Sequence, residues 1–286
     1  MGFHDDEAMM WVDGDLCLAG QASIPALDHA ITVGDGIFEA LKIVRGEIFA
    51  LDRHLRRMER SARGAGVPYP GHEAIAAAAR AVVQANRALL TGTHDVLRLT
   101  LTAGRGHIGS NRIPGVRPTL IAAVTHQTPR GLAGSAITTD WIRNERGALS
   151  GLKTTSYMEN AMAADLAQAA GVDEVMFANT VGHLCEGFRS NVFLVLDGQL
   201  VTPPLSDGPL AGITRELVLE WVEVEQRSVP FAALTQASEI FITSTVSDVM
   251  AITALDGRPI SDGQIGPNTA AAQAAFAAGQ ALGLNP

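Results

Sequence analysis

Lys153 sits in the hydroxyl-rich stretch GLKTTSY, residues 151–157, and is one of only two lysines set against nineteen arginines. An amine that must lose its proton to attack an aldehyde can come from lysine, whereas the guanidinium of arginine stays protonated in proteins. The sharp reading of Lys153 is therefore Schiff-base chemistry, and the plain one is a solvated loop lysine. Glu186, within CEGFRSN, is a carboxylate that could hold a pyridine nitrogen in its protonated state. Gly212-Ile213-Thr214 falls at the start of a helical pattern, where free amides and the helix dipole favour a phosphate. Ser244 and Thr245 add hydroxyl donors after a strand, and Arg57 adds a fixed charge able to grip phosphate with two hydrogen bonds. Taken singly, each has an ordinary role as cap, turn or surface charge. Together they meet one requirement, a phosphate-bearing aldehyde cofactor used as an electron sink.

Two further groups could bind an anion. Gly104, Gly106 and Gly109 satisfy the dinucleotide pattern after a strand, but Pro114 and Pro118 follow where a helix must open. What remains is a glycine-rich loop carrying Arg105, His107 and Arg112. The second lysine, Lys42, lies in FEALKIV, where alternation makes it a strand residue facing water or a pocket.

The elements that must position these residues are interleaved strands and helices, giving an α/β or mixed α+β protein. HAITVGDGIFEALKIVRGEIFAL reads as strands broken at residues 34–36 and 45–46. Asp52 is expected to cap a helix in which Leu55, Met58 and Ala62 share one face, with His54 and Arg57 on the next. A helix through EAIAAAARAVVQANRALL and strands DVLRLTLTA and TLIAAVT complete a first domain, residues 1–125. A linker over 126–134 leads to a second domain, residues 135–286, which contains Lys153. There the pattern predicts strands ITTDWI, DEVMFAN and SEIFITST, hairpins at Asp197-Gly198 and in ALDGRPI, and helices ENAMAADLAQAA, ITRELVLEWV and an alanine-rich final segment.

Composition narrows the function classes. A net charge of −9 argues against a nucleic-acid backbone as partner. With 47% hydrophobic and 18% charged residues the chain is an ordinary globular one. Cys17 and Cys185 make no disulfide framework, so a reducing, cytoplasmic setting is expected, and no apolar run approaches a membrane span. The eight histidines are scattered, which points away from a metal site.

In order along the chain, GDGIFEALKIVRGEIFALDRHLRRM, LKTTSYMENAMA, EGFRSNVFLV, GITRELVLE and ITSTVSDV resemble the successive signatures of the class IV aminotransferases, the fold-type IV pyridoxal phosphate enzymes. The resemblance implies pyridoxal 5'-phosphate as cofactor, Lys153 as the Schiff-base lysine and Glu186 as partner of the pyridine nitrogen. It implies that Arg57, Ile213, Thr214, Ser244 and Thr245 surround the phosphate. It further implies two α/β domains with the cofactor between them, in a homodimer. FEALKIVRGEIF with Lys42 is similar to the D-amino acid enzymes of the family, and Arg105-Gly106-His107 resembles their carboxylate-binding arginine and histidine, with Arg112 as the other candidate. The expectation is a transaminase working on a D-amino acid and a 2-oxo acid. Branched-chain and (R)-amine transaminases remain alternatives. So does aminodeoxychorismate lyase, among which LKTTSYMEN is common, and a nucleotide-binding protein using the Gly104 loop is the reading from another class.

Overall fold

The computed structural model describes residues 7–91, 94–128 and 130–286. It divides into two compact units, one formed by the described residues of Met1–Pro129 and Leu152–Tyr157 with Asn285, the other by Arg130–Gly151 and Met158–Leu284 with Pro286. Both mix helices with sheet.

The first unit comprises β1 (Met9–Val12), β2 (Asp15–Leu18), α1 (His29–Val33), β3 (Gly36–Val44), β4 (Glu47–Ile48), α2 (Leu51–Ala65), α3 (His72–Ala85), β5 (Asp95–Thr102) and β6 (Leu120–His126). Its sheet runs β2-β1-β6-β5-β3-β4, every pair antiparallel. Ile37, Leu41 and Ile43 of β3 share one face with Leu97, Leu99 and Leu101 of β5, and Leu55, Met58, Ile75 and Val82 of α2 and α3 cover it. Each such side chain taken fully out of water stabilises the unit by about 1.5–3 kcal/mol. The turn from β3 to β4 is a two-residue one, with Arg45 at φ 53° and Gly46 at φ 79°, the backbone a tight hairpin requires.

Three expectations are corrected here. His29–Val33 is a helix, not a strand: Asp28 accepts from the Ala30 amide at 2.9 Å and Gly34 ends the turn at φ 70°. Those two caps outweigh the β-branched run Ile31-Thr32-Val33. Asp52 does not cap α2, because Ala50 is the N-cap at φ 55° and Asp52 lies in the first turn. The Lys153 loop packs with the first unit, not with the C-terminal domain. β4 covers only Ile43 and Val44 of β3, leaving the beginning of that strand with an unpaired edge, which must be satisfied. Lys153–Thr155 fills it: the Phe38 amide donates to the Lys153 carbonyl at 2.9 Å, the Thr155 amide to the Gly36 carbonyl at 2.8 Å, and Thr154 bridges Ile37.

β6 ends at His126 and the next strand begins at Ala133; Pro129, within the expected linker, lies outside the described residues. The second unit comprises β7 (Ala133–Arg143), α4 (Met158–Ala170), β8 (Glu174–Asn179), β9 (Leu184–Gly187), β10 (Asn191–Leu196), β11 (Gln199–Thr202), α5 (Ile213–Trp221), β12 (Glu225–Gln226), β13 (Glu239–Ser244), β14 (Asp248–Leu255), β15 (Arg258–Pro259) and α6 (Pro267–Leu282). Its sheet runs β12-β11-β10-β13-β14-β7-β8-β9, with β15 beside β14 and with β7 parallel to both β14 and β8. β9 also lies against β10, so the segments bearing Glu186 and Asn191 are neighbours. All six residues of β10 are buried. Among the described residues no helix is long and apolar enough to cross a membrane.

Candidate active site

Alternation along β3 sorts its side chains. Phe38, Ala40 and Lys42 take one face, and Ile37, Glu39 and Leu41 the other. On the first face the Lys153 ammonium nitrogen lies 4.4 Å from the centroid of the Phe38 ring and 6.0 Å from that of Tyr157. The two rings meet edge to face at 5.2 Å. Arg98 of β5, which the strand pattern does not single out, places its guanidinium 3.9 Å over the same Phe38 ring. No carboxylate among the described residues forms an ion pair with it. Lys42, half-buried, belongs to this face as well. Two cations at one aromatic ring, with a third further along the same strand face, form a surface suited to an anion.

The hydroxyls around Lys153 prove to be fasteners. Thr155 and Ser156 both donate to the Gly34 carbonyl, at 2.8 and 3.1 Å, and the Lys153 amide donates to Ser61 Oγ of α2 at 3.2 Å. Gly64 admits Leu152, since a Cβ there would stand 2.7 Å from a Leu152 methyl.

On the opposite face Glu39 is fully buried and Arg57 is 4% exposed. Arg57 Nε donates to Glu39 Oε1 at 2.8 Å and Nη2 to Oε2 at 2.6 Å, while His54 Nδ1 lies 2.7 Å from Oε2. Burial alone would raise the Glu39 carboxyl, but the charge and hydrogen bonds of Arg57, with the bond to His54, hold it at about 2. Burial lowers His54, against the pull of Glu39. The imidazole is therefore neutral and donates from Nδ1.

Of the loop candidates, Arg112 is committed to structure. It donates to Asp35 at 2.7 and 2.5 Å and to the carbonyls of Ala65 and Gly66 at 2.8 and 2.7 Å, tying its loop to the end of α2. Burial would raise Asp35, but hydrogen bonds from Arg112 and His29 hold it below the usual carboxylate range. Arg105 and His107 lie exposed on the same loop. Gly106, between them, is packed so tightly that a Cβ would stand 2.0 Å from the His29 ring, which fixes the loop backbone at that point.

In the second unit Glu186 Oε2 accepts from the Leu210 amide at 2.9 Å, and Arg143 Nε lies 3.5 Å from Oε1. Arg143 in turn stacks 4.3 Å over Phe177 and pairs with Glu159. The turn after Glu186 is held from beneath by the fully buried Glu174, which accepts from Ser190 Oγ at 2.6 Å and from the Phe188 amide at 2.9 Å. Burial pushes Glu174 up to about 7.

The helix start is equally built. Gly212 is the N-cap of α5 with no side-chain cap, and Ile213 and Thr214 are buried behind it. Asn191 Nδ2 donates to the Leu210 carbonyl at 2.7 Å, and a Cβ on Gly212 would fall 2.0 Å from Asn191 Oδ1. Asn191 pairs with Thr243 across β10 and β13, so this cradle adjoins the strand end at Ser244. Ser244 Oγ accepts from the Ser247 amide at 3.0 Å, closing the turn that contains Thr245. Glu186, the Gly212 cradle and the Ser244 turn are thereby linked within one unit, and Lys153 and Arg57 lie in the other. Within the first unit an amine flanked by aromatic rings suits an aldehyde, and within the second a carboxylate held by a backbone amide and a helix start without a side-chain cap suit a protonated ring nitrogen and a phosphate.

The chain is similar to known proteins in both sequence and fold. The family model described as amino-transferase class IV matches residues 36–255. A Methanocaldococcus jannaschii protein, provisionally named a branched-chain-amino-acid aminotransferase, is 30% identical over 273 residues, covering 91% of this chain and 92% of that one. A D-alanine aminotransferase of Bacillus licheniformis is 29% identical over 277 residues, covering 92% and 94%. The structure of a T.th. branched-chain amino acid aminotransferase complexed with N-(5'-phosphopyridoxyl)-L-glutamate superposes with a TM-score of 0.86 at 25% identity, over 96% of this chain and 94% of the other.

Proposed function

The chain belongs to the class IV aminotransferases and uses pyridoxal 5'-phosphate, and from that premise we propose that it moves an amino group between a D-amino acid and a 2-oxo acid. When bound, the cofactor supplies an aldehyde that condenses with amines and a ring that takes up the electron pair left at the substrate α-carbon. Lys153 Nζ would hold the aldehyde and, when freed by an incoming amine, would act as the base that takes up the substrate α-proton and the acid that returns it. Glu186 accepts the hydrogen bond of the protonated pyridine nitrogen, and the Leu210 amide and Arg143 keep its carboxylate aimed. Arg57, the amides at Ile213 and Thr214, and the hydroxyls of Ser244 and Thr245 bind the phosphate.

The observation that carries the substrate reading is Arg98, stacked on the ring that also borders Lys153. With Lys42 it presents charge where a wholly apolar pocket would suit a branched aliphatic side chain. Carboxylate recognition by this face leaves Arg105 and His107 as outer contributors. The L-branched-chain reading is supported by the names of the Methanocaldococcus jannaschii relative and of the T.th. structure.

The test is a half-reaction, in which the loaded enzyme is mixed with D-alanine, D-glutamate, L-leucine and (R)-phenylethylamine while its absorbance is followed. Conversion of the aldehyde to the amine form by the D-acids supports the proposal. Conversion by L-leucine alone would replace it with the branched-chain reading, and no conversion by any amine would favour the lyase.

A further inference from the structure

We propose that Glu39 is a positioning residue of the active site, clamping the Arg57 guanidinium through a bidentate pair backed by His54 in the one orientation that meets the cofactor phosphate. The inference rests on the reading of Arg57 as a phosphate ligand. Glu39 stands on the apolar face of β3, between Ile37 and Leu41, where the strand pattern calls for an aliphatic residue. A buried ion pair there seldom stabilises more than apolar side chains of the same volume, so folding alone gives no reason for it. Its geometry does give a reason. Oε1 takes Nε of Arg57, and Oε2 takes both Nη2 of Arg57 and Nδ1 of His54. The plane of the guanidinium is thereby fixed before any ligand arrives, and the rotamer freedom an unclamped arginine would lose on binding is already gone.

The same helix face carries the effect to the reacting amine. His54, Arg57 and Ser61 are spaced three and four residues apart on α2 and form one stripe. Ser61 Oγ accepts from the Lys153 amide, and Gly64 admits Leu152 one turn on. Anchoring that stripe to β3 through Glu39 sets the phosphate-binding charge and the Lys153 backbone from a single carboxylate.

An ordinary core ion pair would affect every ligand alike, whereas a phosphate clamp is selective. The full-length chain, stripped of cofactor, is titrated with pyridoxal 5'-phosphate and with pyridoxal, which lacks the phosphate. Glu39→Gln should weaken pyridoxal 5'-phosphate by at least about tenfold and pyridoxal by less than about threefold. Arg57→Met should show the same selectivity, and the double variant should add little to either single one. Equal losses for both ligands, no loss, or additive losses would overturn the proposal. Should Glu39→Gln not fold, Glu39→Asp keeps the charge on a stem one methylene shorter and is read by the same ratio. On the unmodified protein, the Arg57 Nε–H, assigned by its disappearance in Arg57→Lys, should resist exchange with solvent, and rapid exchange would also overturn it. Borohydride reduction of the wild-type holoenzyme keeps the two ideas apart. A missing Lys153 adduct sinks the cofactor reading, whereas a normal adduct with undiminished phosphate preference in Glu39→Gln sinks only the clamp.

Discussion

Replacing Gly212 with alanine is the sharpest single test of the second unit's half of the site. The backbone tolerates the change, because Gly212 has φ −67° and ψ 137°, open to any residue. The obstacle is room: the new Cβ would sit 2.0 Å from Asn191 Oδ1, and the amide must retreat by about 1 Å or more to restore ordinary contact. Asn191 is 5% exposed and has little space to retreat into, so its 2.7 Å bond to the Leu210 carbonyl is broken. Leu210 is also the residue whose amide orients Glu186. Losing a buried hydrogen bond and stranding its acceptor costs about 2 kcal/mol, and if the phosphate must draw the cradle back to its original shape on binding, the same energy is about 30-fold in the affinity for pyridoxal 5'-phosphate. Equilibrium dialysis of wild type and Gly212→Ala measures that factor, and kcat on the loaded variant should fall with it because Glu186 is displaced. Gly283→Ala is the control, since its backbone is extended at φ 177° and no atom lies within 4 Å of the added methyl. Affinity and kcat of Gly212→Ala both within about threefold of wild type would refute the coupling of cradle and carboxylate.

Three other outcomes are expected. Lys153→Ala should abolish the absorbance change with every amino acid, and near-normal turnover in that variant would remove Lys153 from the chemistry. Glu186→Gln keeps the Leu210 contact but loses the charge, and should lower kcat by about 10²-fold or more with a smaller change in KM; an unchanged kcat would assign the pyridine nitrogen another partner. Glu174 has its carboxyl raised by burial from 4.5 to about 7. The folded state therefore holds its proton more tightly than the unfolded one, so this contribution is fully present below pH 4.5 and is lost as pH rises through about 7. Glu174→Gln should match wild type in urea resistance at pH 5 and exceed it at pH 8, and a difference independent of pH would contradict the assignment.

Much of the fold is legible in the sequence because its signals are local. The hairpin at Asp197-Gly198, the stop of α4 at Gly171 and the strands β5, β8 and β13 follow from turn chemistry and apolar period alone. His29–Val33 reads as a strand, yet a side-chain cap and a left-handed glycine outweigh β-branched residues in a five-residue segment. The placement of Lys153 with the first unit is not legible, since it depends on how far a distant two-residue strand covers β3. Arg98 is hidden as an ordinary charge in a strand, and only the pairing of β5 with β3 brings it over Phe38. Glu39 does leave a trace, a charge at the parity of Ile37 and Leu41, which alternation alone marks as facing inward. Arg112 reads as a ligand-binding cation because its partner Asp35 is 77 positions away.

β3 presents two consecutive residues, Phe38 and Glu39, to two different neighbourhoods, the ring toward the lysine amine and the acid toward the arginine of the flanking helix. A slip of one position along its partners would exchange them, driving a benzyl group into the charge pocket and exposing a carboxylate beside Lys153. Eight consecutive pairs with β5, from Gly36 opposite Thr102 to Ile43 opposite Asp95, set the frame in which this strand is read. A one-residue shift of β3 against β5 would therefore scramble both functions at once, whereas lengthening the Arg45-Gly46 corner would displace only the two-residue pairing with β4.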